Sequence, residues 1–159
     1  MHGGGGVATM AGFAERAHAR VLLPTHPGFG GTPKPAGLTG VADLALAYAA
    51  LLDRLGLTGI TVVGNSFGGW VAAELALLAS PRVGEVVIVD GIGVEVAPGR
   101  REGPLPRADP RALLARPGDV RVPVHVVWGE SDRVVDPEYG KAFAAAIPAS
   151  RFTVLPGTR

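Results

Sequence analysis

The stretch VVGNSFGGW, residues 62–70, sets a serine between glycines directly after a β-branched run. The run ITVVG (60–64) has the chemistry of a buried strand, and GWVAAELALLA (69–79) continues in apolar helix formers. Between them, Gly64-Asn65-Ser66-Phe67-Gly68 fits G-x-S-x-G, the spacing that places a serine on a sharp strand-to-helix turn. Such a turn crowds the positions two before and two after the serine. Gly64 and Gly68 relieve the crowding and leave the Ser66 hydroxyl projecting above the sheet. The amide of Phe67 then opens a helix, where its N–H can bind a developing oxyanion. The competing readings are a tight turn with an incidental serine and a phosphate-binding turn. The second calls for a lysine or G-x-G-x-x-G, and neither occurs here.

Working outward, RVLLP (20–24), EVVIVD (85–90), VPVHVVWG (122–129) and RFTVLP (151–156) share the strand chemistry of residues 60–64. Near-continuous Val, Ile and Leu in the middle three predicts strands buried on both faces. Helical spacing separates them. Leu44, Tyr48, Leu51 and Leu55 form an apolar stripe that Gly56 ends; Val71, Leu75 and Leu78 follow the serine turn. Phe143 and Ile147 lie in a helix opened by Asp136 as N-cap and Pro137 as first residue, and a first helix is expected near residues 8–18 around Met10, Phe13 and Ala17. The alternation predicts an α/β fold: a mostly parallel sheet of about five strands flanked by helices, in one domain spanning 1–159. Residues 91–121, rich in Pro, Gly and Arg, form an excursion between strands in which PRALLAR offers one short helix. Its arginines alternate with acidic residues, as on a solvated loop.

Composition narrows the function. With 47% hydrophobic and 18% charged residues the chain can build a core, and a formal charge of +1 favours neither nucleic acid nor a membrane surface. There is no cysteine, which removes disulfides, thiolate chemistry and Cys-based zinc sites. Charges interrupt every apolar run well before ~18 residues, so no membrane span is expected. MHGGGG lacks the basic and apolar segments of a signal peptide, and a cytoplasmic location follows as the expectation. Abundant Ala, Gly, Pro and Arg point to a GC-rich, bacterial coding sequence. No metal and no cofactor are implied.

Four motifs, in order, carry a resemblance. HGGGG (2–6) resembles the oxyanion loop of the α/β-hydrolase superfamily, and PTHPGFGGT (24–32) resembles the loop after that family's fourth strand. VVGNSFGGW resembles its nucleophile elbow, and VPVHVVWGESDRVVDP (122–137) its seventh strand and acid-bearing loop. The resemblance implies Ser66 as nucleophile, Asp132 as the carboxylate that orients an imidazole, and Gly4 beside Phe67 as oxyanion donors. Asp90, at the end of VVIVD, holds the position that some family members use for the acid. Two plainer readings stay open: a turn aspartate at 132 and a flexible glycine tract at 2–6.

The same resemblance implies a catalytic histidine in a loop after the eighth strand, here RFTVLPGT. The histidines are His2, His18, His26 and His125, all before Asp132. His125 is expected in the core of a strand, His18 on a solvent-facing helix, and His2 in a structural role. His26 is the one substitute base to consider. Relative to the family, the first three strands and most of the cap are absent, and exposed sheet edges of that kind favour self-association. Two functions follow as expectations. One is a serine hydrolase of small ester-like or carbonyl substrates, cleaving ester or activated C–C bonds, impaired for want of the histidine. The other is a non-catalytic fragment or binding module derived from such an enzyme.

Overall fold

A computed structural model describes residues 1–94 and 116–158. Residues 60–65 form β1 (Ile60–Asn65), followed by β2 (Val83–Val89), β3 (Val124–Gly129) and β4 (Arg151–Leu155). They lie side by side in chain order, and each neighbouring pair is parallel. The helices are α1 (Ala8–Arg16), α2 (Val41–Arg54), α3 (Phe67–Leu77) and α4 (Pro137–Ala146). The expected α/β architecture is therefore present, with four strands among the described residues.

The strand expected over RVLLP does not form. Residues 20–24 join no ladder, and Leu22 is 49% exposed. A strand needs a hydrogen-bonded neighbour. The outer edge of β1 is instead taken at its C-terminal end by Met1, whose amino group donates to the Val63 carbonyl and whose carbonyl accepts from Asn65 N at 3.1 Å.

Burial on both faces is also corrected. Register places Gly64 beside Ile88 and Ile88 beside Val126, and this row packs on the helices. A Cβ on Gly64 would meet the backbone of Gly68 in α3, and one on Gly140 in α4 would meet the Trp128 ring. On the opposite face Val63, Val87, Val89 and Val127 are only half-buried. Helices α3 and α4 cover one side of the sheet, so continuous apolar runs do not become two-sided burial.

Helix α3 is the centre of the core. Every residue from Gly68 to Ala76 is buried, because β1, β2 and α2 surround it. Its Trp70 is 2% exposed, donates from Nε1 to Glu74 Oε1 at 3.2 Å and lies against Gly93. In β3, Trp128 is fully buried and donates from Nε1 to the Val135 carbonyl at 3.0 Å.

Helix α2 buries Leu44, Ala45 and Tyr48, with Leu52 partly buried, whereas Leu51 and Leu55 are exposed. The 3.6-residue period continues the stripe from Tyr48 to Leu52, not to Leu51 and Leu55. Gly56, at φ +63°, ends the helix as expected. Asp136 caps α4 by accepting from Glu138 N at 2.8 Å, and Phe143 and Ile147 are buried. In α1, Met10 is buried and Phe13 is exposed. The helix expected over PRALLAR lies outside the described residues, apart from Arg116, as does most of the 91–121 excursion. After it comes a single 3₁₀ turn, Pro117–Asp119. Among the described residues no helix is long and apolar enough to cross a membrane.

Candidate functional site

Parallel strands deliver the residues that follow them to one edge of the sheet. Ser66 after β1, Asp90 after β2 and the turn carrying Asp132 after β3 therefore share the C-terminal edge. Ser66 has φ 52° and ψ −116°, a conformation that costs an L-residue on the order of 1–3 kcal/mol. It is held there by Ser66 N donating to Val89 O at 2.9 Å and by Gly69 N donating to Ser66 O at 2.9 Å. The Ser66 side chain makes no capping bond to α3. Phe67 is the first helical residue, so its N–H has no acceptor within the helix.

The two flanking glycines are sterically required. A Cβ on Gly64 would lie 2.1 Å from Gly68 O, and one on Gly68 would lie 2.4 Å from Met1 O. The turn thus interlocks with the first residues of the chain. Gly3 presses on the serine, since a Cβ there would come within 3.1 Å of both Ser66 Cβ and Asn65 Oδ1. Gly4 has nothing within 4 Å of its Cβ position and is exposed. A tight turn, Gly6 N to Gly3 O at 3.1 Å, carries this loop into α1.

His2 and His26 are fully buried beneath the loop. His26 N donates to His2 Nε2 at 3.0 Å, so His2 carries its proton on Nδ1, which reaches Gly3 O at 2.8 Å. His26 Nε2 donates to His2 O at 3.0 Å, and His26 Nδ1 accepts from Tyr48 Oη at 2.6 Å. Both rings are neutral and every ring nitrogen is engaged. Burial pushes the His26 pKa down from 6.5 to about 4, and pushes the Tyr48 hydroxyl up to about 12. The His26 ring also packs edge-on against Phe67, with centroids 5.7 Å apart. His26 is therefore a strut under the serine turn, which corrects its candidacy as a substitute base. The sequence hid this role because Tyr48 is 22 residues away and fits the apolar stripe of α2.

His125 differs from expectation, and His18 faces solvent as expected but outside a helix. His125 points to the half-buried face of the sheet and bonds Thr153 Oγ1 at 2.8 Å; it is not a core residue. His18 lies in an exposed bend beyond the end of α1, because the helix stops at Arg16.

Asp132 closes a turn after β3 through its N–H to Gly129 O at 3.2 Å. Its Oδ1 accepts from Val134 N at 2.7 Å and Val135 N at 3.1 Å. The carboxylate is thus oriented by two amides through one oxygen, and Asp136 serves α4 separately. Asp90, with φ 46°, accepts from Gly129 N at 2.8 Å through Oδ1. Its pKa is raised by burial and by the negative charge of Asp132, against the opposing pull of the Gly129 N–H. Among the described residues, no group of three or more His, Cys, Asp or Glu could hold a metal ion.

The sequence and the fold have counterparts in known proteins. A homoserine O-acetyltransferase of Thermus thermophilus is 44% identical over 68 residues, 43% of this chain and 16% of that protein. A 2-hydroxy-6-oxo-2,4-heptadienoate hydrolase of Pseudomonas putida is 38% identical over 78 residues, 48% of this chain and 28% of that one. The chain therefore aligns with less than a third of the length of either relative. The solved structure of a thermophilic esterase from Thermogutta terrifontis superposes with a TM-score of 0.74 at 25% identity, covering 99% of this chain and 79% of that one. The profile of the family described as alpha/beta hydrolase fold matches residues 1–120, three quarters of the sequence. The chain belongs to the alpha/beta hydrolase fold family.

Proposed function

We propose that this chain carries a serine hydrolase site acting on a small substrate with an ester or an activated C–C bond. Ser66 is the nucleophile, the Phe67 and Gly4 N–H groups hold the oxyanion, and Asp132 is the carboxylate that orients an imidazole. The observation that carries the proposal is the Ser66 backbone, held at φ 52° at a strand-to-helix junction that both flanking glycines are needed to form. Strain of this kind persists only where the surroundings enforce it. Relatives named as a hydrolase of an oxo acid and as an acetyltransferase fit acyl chemistry at such a serine. Turnover is impaired in this reading. His2 and His26 have no ring nitrogen to spare, and His125 belongs to the other face of the sheet.

Exogenous imidazole tests both parts with p-nitrophenyl acetate. Ser66 Oγ attacks the acetyl carbon, imidazole takes the hydroxyl proton, and p-nitrophenolate leaves an acetyl group on Ser66. Without imidazole, the parent and Ser66→Ala should hydrolyse the ester at rates within about tenfold of each other, any excess over the uncatalysed rate coming from binding and the oxyanion donors alone. With imidazole, mass spectrometry should find acetyl on the peptide bearing Ser66, and the Ser66→Ala variant should lose the protein-dependent part of the rate. Equal rates in both proteins would leave the non-catalytic reading standing. Ser66-dependent turnover without imidazole would show that the chain supplies its own base.

A further inference from the structure

We propose that Asp90 is a positioning residue for the turn that carries Asp132, acting by replacing a strand carbonyl with its own carboxylate. The inference rests on Asp132 as the orienting carboxylate of the proposed site. The hydrogen-bond ladder between β2 and β3 shows how the replacement works. Val89 pairs with Val127, and Asp90 N donates to Val127 O at 3.0 Å. In a parallel ladder the next rung runs from Gly129 N to the backbone carbonyl of Asp90. That donor goes instead to Asp90 Oδ1 at 2.8 Å, with the Asp90 backbone at φ 46°. Asp, Asn and Gly are the residues that enter this left-handed conformation most readily. Asp90 thus ends the ladder without orphaning the last β3 donor.

Gly129 is the first residue of the turn that Asp132 N closes onto Gly129 O. From the β4 side the turn is held by Glu130 N to Leu155 O at 3.1 Å and Ser131 N to Thr158 O at 2.8 Å. From the β2 side the bond is made by a side chain, that of Asp90. Asp90 is half-buried, and its pKa is raised first by burial and in smaller part by the charge of Asp132. Asp90 therefore fixes where the turn that carries Asp132 begins.

Amide exchange and NMR titration of the folded chain test the proposal without requiring catalysis. Failure of Ser66 acetylation would leave these readouts intact, and their failure would leave acetylation intact. The Gly129 amide shift should follow the titration of Asp90, and the Asp132→Asn variant should move that titration to lower pH. Asp90→Asn should keep Gly129 exchange within about twofold of the parent, because the amide oxygen still accepts and Asn tolerates the backbone. Asp90→Ala should speed it about tenfold or more. A Gly129 shift that ignores Asp90, or unchanged exchange in Asp90→Ala, overturns the bond. An Asp90 titration that does not respond to Asp132→Asn reduces Asp90 to a ladder cap and overturns the link to the acid. The Asn variants decide the matter should Asp90→Ala fail to fold.

Discussion

Gly64→Ala is expected to destabilise the fold by about 3 kcal/mol or more, the upper range for overpacking a core. The added carbon would lie 2.1 Å from Gly68 O, 2.6 Å from Gly68 C and 2.8 Å from Gly69 N. These are backbone atoms at the start of α3, so no rotamer change can make room. To accommodate the methyl, α3 must move off β1, and α3 is buried along its length between the sheet and α2. Movement of Gly68 would disturb its packing under Met1 and His2, so the damage spreads to the loop above the serine. Gly4→Ala is the internal control. Its Cβ position is open, and its effect on stability should stay within about 0.5 kcal/mol. Urea unfolding midpoints of the two variants measure the contrast. A Gly64→Ala protein as stable as the parent would refute the interlocked turn.

Acidification from pH 6.5 to pH 4 should remove about 3 kcal/mol of stability through His26 alone. The neutral ring is built into the fold, since Nε2–H serves His2 O and bare Nδ1 serves the Tyr48 hydroxyl. Burial sets the folded pKa at about 4, whereas the unfolded imidazole titrates near 6.5. Between those values the unfolded chain binds more protons, so stability falls as pH falls and the loss levels off below pH 4. Above pH 6.5 the contribution is fully present. Urea unfolding at a series of pH values gives the curve, and the His26 ring proton resonance isolates the group. It should stay unshifted down to about pH 5, and an ordinary titration near pH 6.5 would contradict the network.

The serine turn was legible because its demands are local. Strand, glycine, serine, glycine and helix fall within residues 60–77, and the clash that makes Gly64 necessary arises with Gly68, four positions on, whereas the need for Gly68 comes from Met1 and His2 at the start of the chain. Asp136 and Pro137 were legible for the same reason. What stayed hidden depended on neighbours distant in the chain. Residues 20–24 have strand chemistry, yet strand formation is decided by a partner. Val63, Val87, Val89 and Val127 have the composition of two-sided burial, but which helices cover them is a property of the whole assembly. His26 looked available for proton transfer in a glycine-rich loop. Its commitment required His2, 24 residues before it, and Tyr48, 22 residues after it. Asp90 was visible as a carboxylate at a strand end, while its exchange of a backbone rung for a side-chain one needed the register of β3.

The two buried indoles divide the molecule for spectroscopy. The sequence contains two tryptophans, one in α3 behind the serine turn and one at the end of β3 beneath the turn of Asp132. With both shielded from water, emission from the folded chain should be blue and should shift red on unfolding. Trp128→Phe leaves a reporter for the nucleophile half, and Trp70→Phe leaves one for the acid half. Urea transitions that coincide in the two single-tryptophan proteins would mark one cooperative unit, and transitions that separate would rank the two halves by stability.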